Sequence, residues 1–141
     1  MTAAAVDTNI LVYAEAVERS EADRTKIERS RQLMWDLAAE GEWFVAAQAL
    51  AELHRVLVQK LRLARADAAA RIARWQSAAR VLPTSEKLVM DAIGLASRHR
   101  LRIFDAIILA AAAEAHCDTL YSEEFQQGFT WRGVEVVNPF R

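Results

Sequence analysis

Short apolar runs alternate along this chain with longer stretches of helical spacing. Ala3 to Val6 is one such run, stopped by Asp7-Thr8-Asn9. It predicts a buried strand whose exit Asp or Thr caps a helix beginning near Ile10. From Ser20 to Ala39, Ile27, Met34 and Ala38 recur on one face with Leu33 and Leu37 beside them, and Gly41 follows as a stop; this stretch predicts a helix. Trp43 to Ala46 reads as a second strand, Gln48 to Leu61 and Ala66 to Ala79 as two helices, and Val81-Leu82-Pro83 as a brief third strand. Ser85 caps a helix running to about His99. Ile103 to His116 is almost continuously apolar through "AIILAAAAEA", and its small side chains suit a helix packed close against a sheet. Thr119 to Ser122 predicts another strand, followed by a polar loop with Gly128, and Val134 to Val137 the last one, closed by Asn138-Pro139. Strands alternating with helices imply βαβ crossovers, so the predicted class is α/β, three-layered, with a short, mainly parallel sheet covered by helices.

Composition narrows the picture without changing it. With 141 residues, no internal repeat and no low-complexity linker, the chain reads as a single domain, residues 1–141. Hydrophobic residues make up 53% and charged ones 26%, which excludes a disordered chain. No apolar run approaches a membrane span, and no basic segment leads into a hydrophobic one, so neither an anchor nor a secretory leader is expected. The single Cys117 excludes an internal disulfide framework and fits a reducing compartment, which makes the cytosol the expected location.

A net charge of −1 announces no polyanion partner in bulk. Among the basic residues only Lys26, Lys60 and Lys87 are not arginine. Two groups stand out: Lys60, Arg62, Arg65, Arg71 and Arg74, and then Arg98, Arg100 and Arg102. Arginine forks match phosphate oxygens, so both groups are candidate contacts to a nucleic-acid backbone, although solvated salt bridges on helix faces are the commoner role of any one such charge.

The acidic residues carry the sharper signal. Ligands of an open parallel sheet bind beyond the carboxyl ends of its strands. Asp7 follows the first predicted strand directly. Glu52 lies early in the helix after the second. Asp105 opens the most apolar helix, where the helix dipole favours a carboxylate. Ser122, Glu123 and Glu124 follow the strand that begins at Thr119. Singly, each has a plain structural role: Asp7 and Asp105 as caps, Glu52 as a surface partner of Arg55, Glu123 and Glu124 as loop charges. Together they describe a set of carboxylates at one sheet edge, which repel one another unless a cation intervenes. All-oxygen ligands select Mg²⁺ or Mn²⁺ over zinc, and such a site can activate water against a phosphodiester. His54, His99, His116 and Cys117 lack zinc-ligand spacing, and no phosphate-binding glycine loop or nucleophile elbow is present.

The ordered segments "AVDTNILVYA", "VAAQALAELHRVL", "IFDAIILAAAAEA", "TLYSEEFQQG" and "VEVVNPF" resemble the PIN-domain proteins, and most closely the VapC-type toxins of toxin–antitoxin pairs. The resemblance runs from Val6 to Phe140. It implies a metal-dependent endoribonuclease that hydrolyses RNA to 5′-phosphate and 3′-hydroxyl ends. Asp7, Glu52, Asp105 and Glu124 match the family's four acidic positions, as ligands of one or two Mg²⁺ (or Mn²⁺). Thr8 and Asn9 resemble the family's polar support beside the first aspartate, and Ser122 and Glu123 are read as supporting residues beside the last. Glu124 departs from the usual aspartate by one methylene, which leaves Glu123 and Asp118 as alternatives for the fourth carboxylate. The resemblance also implies a homodimer neutralised by a small antitoxin whose tail enters the acidic groove. The face of residues 27 to 38, with Trp35 at its margin, is a candidate for a helix-in-groove contact or for core.

Rival readings are a receiver-like phosphoacceptor module and a catalytically silent PIN fold serving as a binding module in an RNA-associated complex. The first calls for an acidic pair near Asp7 and a lysine after a late strand, and this chain has neither. The second differs from an enzyme only in activity. RNA preference rests on surface shape and on contacts to single-stranded loops.

Overall fold

The computed structural model describes residues 3–17 and 20–141, so the predicted single domain is seen without residues 1, 2, 18 and 19. Strand β1 (Ala4–Val6) leads into helix α1 (Thr8–Glu15), α2 (Glu21–Glu40) follows, and β2 (Phe44–Ala46) runs directly into α3 (Ala47–Gln59). Next come α4 (Arg65–Ala78), β3 (Arg80–Leu82), α5 (Glu86–His99) and α6 (Ile103–Glu114). The chain ends with β4 (Thr119–Tyr121), β5 (Thr130–Trp131) and β6 (Val134–Val137). The strands form one sheet in the order β3-β2-β1-β4-β6-β5, parallel throughout except for the β5–β6 pair, with helices on both sides. This is the expected α/β architecture.

Two local readings change. Residues 130 and 131, expected in a loop, pair with β6 through a hairpin whose turn residues Arg132 and Gly133 both have positive φ, 46° and 82°. A turn of that hand matches the twist of the strands, and glycine meets its backbone demand at no steric cost. In α2, Ile27, Met34 and Leu37 are buried, whereas Ala38, expected beside them, is exposed. The face considered for a partner helix is therefore core, and Trp35, 75% exposed, stands outside it.

The core explains why three-residue strands suffice. Every residue of α6 from 106 to 112 is buried, and alanines there let the helix lie close to β2, β4 and β6. Trp43, just ahead of β2, is 1% exposed and meets Trp75 of α4 edge to face, with centroids 5.9 Å apart. At the end of α1, Glu15 accepts hydrogen bonds from Arg71 Nη1 (2.6 Å) and Trp75 Nε1 (2.9 Å), tying α1 to α4. Glu15→Ala strands both half-buried donors, and urea unfolding should show a loss of about 1–3 kcal/mol. Arg71, one of the predicted phosphate-binding group, is thus engaged internally.

Candidate active site

Asp7 sits at the carboxyl end of β1, and its backbone N–H donates to the Tyr121 carbonyl at 3.0 Å, joining the ends of β1 and β4. Its side chain does two things at once. Oδ1 accepts from the Thr8 N–H (2.6 Å), making Asp7 the N-cap of α1, and Oδ2 accepts from Ser122 Oγ (2.6 Å). The helix therefore starts at Thr8, two residues before its predicted start, because the cap is the aspartate itself. Asp7 is 2% exposed. Burial pushes its carboxyl up to about 7, Asp105 and Glu52 push the same way, and the hydrogen bonds from Ser122 and Thr8 oppose them. Near neutral pH this carboxylate needs either a proton or a cation.

The other acids approach from three different elements. Glu52, on α3, is half-buried, and its Oε1 is buried with no hydrogen-bond partner. Burial raises its pKa, and Asp105 adds to the rise. Asp105, in the first turn of α6, is also raised by burial, while the Arg102 guanidinium beside it acts in the opposite sense. Glu124, after β4, is exposed and held on both oxygens, by Asn9 Nδ2 (3.1 Å) and by Arg102 Nη2 (2.9 Å). Its own N–H donates to Ser122 Oγ (3.0 Å), so Ser122 links Glu124 to Asp7. Glu123 is occupied elsewhere: Tyr13 Oη (2.7 Å) and Lys26 Nζ (2.8 Å) donate to its two oxygens.

All of these acids, with Thr8 and Asn9, line a single cleft of about 310 Å³. Asp118 does not. It precedes β4, at the opposite end of the sheet, where it accepts from the Ala3 N–H at 2.9 Å. Arg98 and Arg100 are also outside the cleft: the first donates to the Gly94 carbonyl, and the second ends α5 in a left-handed conformation. Arg102 and Lys60 line it, as do Arg55 and Tyr13, which the sequence reading did not single out as site residues. The missed pair had a signal in helical spacing, since Tyr13 follows Asn9 by four positions and Arg55 follows Glu52 by three.

The residues present fit a hard divalent cation. Every acidic donor is an oxygen, and Thr8 Oγ1, Asn9 Oδ1 and Glu52 Oε1 are buried at the cleft without partners. As the side chains stand, no three Asp, Glu, His or Cys groups among the described residues close on one point, and Arg102 Nε (3.0 Å to Asp105) and Nη2 bridge two of the acids instead.

The fold recurs in solved structures. The toxin VapC20 of Mycobacterium tuberculosis, described as cleaving the sarcin-ricin loop, is 18% identical, with 84% of this chain and 88% of that one superposed at a TM-score of 0.66. A toxin–antitoxin complex from Klebsiella pneumoniae is 21% identical, covering 96% and 97% at 0.68, and FitAcB of Neisseria gonorrhoeae is 19% identical, covering 97% and 98% at 0.66. Comparison with curated proteins gives no match. The profile of the PIN domain matches residues 4–126, which span β1 through the loop that carries Glu124. By that match and by its fold, the chain belongs to the PIN-domain family.

Proposed function

We propose that the protein is a Mg²⁺-dependent endoribonuclease, the toxin of a toxin–antitoxin pair, and that it hydrolyses RNA phosphodiesters to 5′-phosphate and 3′-hydroxyl ends. The observation that carries this reading is Asp7, a carboxylate buried at a parallel-strand end and ringed by Glu52, Asp105 and Glu124 in an open, oxygen-lined cleft. A carboxylate so placed is unfavourable in isolation and tolerable with a cation. The Mycobacterium tuberculosis and Klebsiella pneumoniae relatives support the RNA-cleaving and antitoxin-binding parts of the reading.

Asp7, Asp105 and Glu124 would hold one or two Mg²⁺ (or Mn²⁺), with Glu52 turned to the same space. Bound there, the cation offsets the charge of the phosphodiester and lowers the pKa of an attacking water. Thr8 and Ser122 fix both oxygens of Asp7, and Asn9 fixes one oxygen of Glu124, so the carboxylates are oriented before substrate arrives. Glu52 Oε1, unpartnered and raised in pKa, is the group placed to accept a proton from the nucleophile. Arg55, on the same helix as Glu52, and Lys60, which caps that helix at its C-terminus, line the cleft, where they can pair with flanking phosphates. A homodimer and a small antitoxin with a basic group directed at the acidic cleft complete the proposal, in the cytosol; no described helix is long and apolar enough to cross a membrane.

Induced expression in a bacterial host should arrest growth, and RNA from the arrested cells should carry new 5′-phosphate ends that ligate directly to an adaptor. Asp105→Asn should restore growth and remove those ends. Arrest that persists in Asp105→Asn would instead identify a binding module that acts without cleavage.

A further inference from the structure

Arg102 is an unusual choice at its position. It is the N-cap of α6, where Ser, Thr, Asp or Asn would satisfy a free N–H, and it makes no side-chain cap hydrogen bond. A cation there also faces the positive end of the helix dipole, so helix stability does not account for it. Its partners do. Nε donates to Asp105 Oδ2 at 3.0 Å and Nη2 donates to Glu124 Oε2 at 2.9 Å, so one guanidinium spans two of the carboxylates proposed to hold the cation.

We propose that Arg102 is an exchangeable counter-ion, whose guanidinium holds Asp105 and Glu124 until a divalent cation takes them and must release them for that cation to bind. The proposal rests on the metal-dependent reading above. The two sides of the exchange are built differently. The Arg102 side chain is 72% exposed, whereas those of Asp105 and Glu124 are 15% and 36% exposed. Exposed ion pairs of this kind are weak, and the arm can swing into solvent. The carboxylates stay in place when it leaves. Glu124 keeps Asn9 on its other oxygen and its own N–H on Ser122, which also donates to Asp7. Asp105 is anchored through its backbone in the first turn of α6, and its side chain is only 15% exposed. The arm thus neutralises a repulsive set of acids without locking it, and once released its fork matches the phosphate oxygens of an RNA backbone.

The test is Mn²⁺ binding to the purified full chain, read from the electron paramagnetic resonance of the free ion. Arg102→Gln should bind Mn²⁺ about five- to ten-fold more tightly than wild type, the equivalent of freeing two exposed ion pairs. Arg55→Gln removes the same charge from the same cleft but breaks no ion pair with Asp105 or Glu124, and should change affinity by less than about two-fold. Arg102→Lys, unable to span two carboxylates with a fork, should fall between wild type and Arg102→Gln. Equal tightening in Arg102→Gln and Arg55→Gln, or none in the former, overturns the exchange while leaving the metal site standing. Absence of Mn²⁺ binding in wild type and every variant overturns the metal-dependent reading and the exchange with it.

Discussion

In the absence of divalent cations, Asp7→Asn should be more stable than wild type at pH 8, by about 2–4 kcal/mol in denaturant unfolding. The sign follows from the buried carboxyl. Its folded-state pKa, about 7, lies above its ordinary value of 3.8, so the folded protein binds the proton more tightly than the unfolded chain. Stability contributed by that proton is complete below pH 3.8, is lost progressively as pH rises, and is gone above about 7. Asparagine mimics the protonated form, accepts from the Thr8 N–H through its carbonyl and can donate to Ser122 Oγ. The advantage of Asp7→Asn should therefore grow from about pH 4 and level off just above pH 7. Mg²⁺ at a hundred times its dissociation constant should add about 2.7 kcal/mol to wild type and far less to the variant. A variant less stable than wild type across this range would mean that Asp7 is held by structure alone, with no unmet demand for a cation.

Trp43→Ala should cost about 3–5 kcal/mol, enough to threaten folding of a domain this size. Trp43 is among the largest fully buried side chains, and it packs against Trp75 where α4 returns to the sheet. Its carbonyl also accepts from the Arg80 N–H at 2.8 Å, the first link between β2 and β3. The loss falls on the half of the sheet that carries α3, and so on Glu52 and Arg55. Trp43→Phe, which keeps an aromatic body, should recover most of the stability, and fluorescence-detected urea melts of both variants measure the difference.

The sequence was informative where chemistry and position coincide. Asp7, Glu52, Asp105 and Glu124 could be picked out as neighbours because each follows a strand end or lies early in a helix, and a parallel sheet brings such positions together. β1, β2, β4 and β6 were legible as apolar runs because each turns one or more of its few residues into the core. Placement across the chain was not legible. Glu123 and Glu124 are adjacent, yet one turns to Lys26 and Tyr13 and the other to Asn9 and Arg102, a choice set by side-chain directions after β4. Asp118 stood beside a strand like the others, but at its amino end, and strand polarity takes it to the far edge of the sheet. Arg98, Arg100 and Arg102 look like one basic group in sequence. The turn at Arg100 sends only the third into the cleft. The two-residue strand β5 is too short to leave a period.

Cleavage of an end-labelled RNA by metal-stripped protein tests the central claim most directly. Wild type should be inactive with chelator, regain activity on addition of Mg²⁺ or Mn²⁺ and leave 5′-phosphate products, while Asp7→Asn should be at least about a thousand-fold slower at saturating metal. Cleavage that survives the chelator, or that Asp7→Asn retains, would contradict the account.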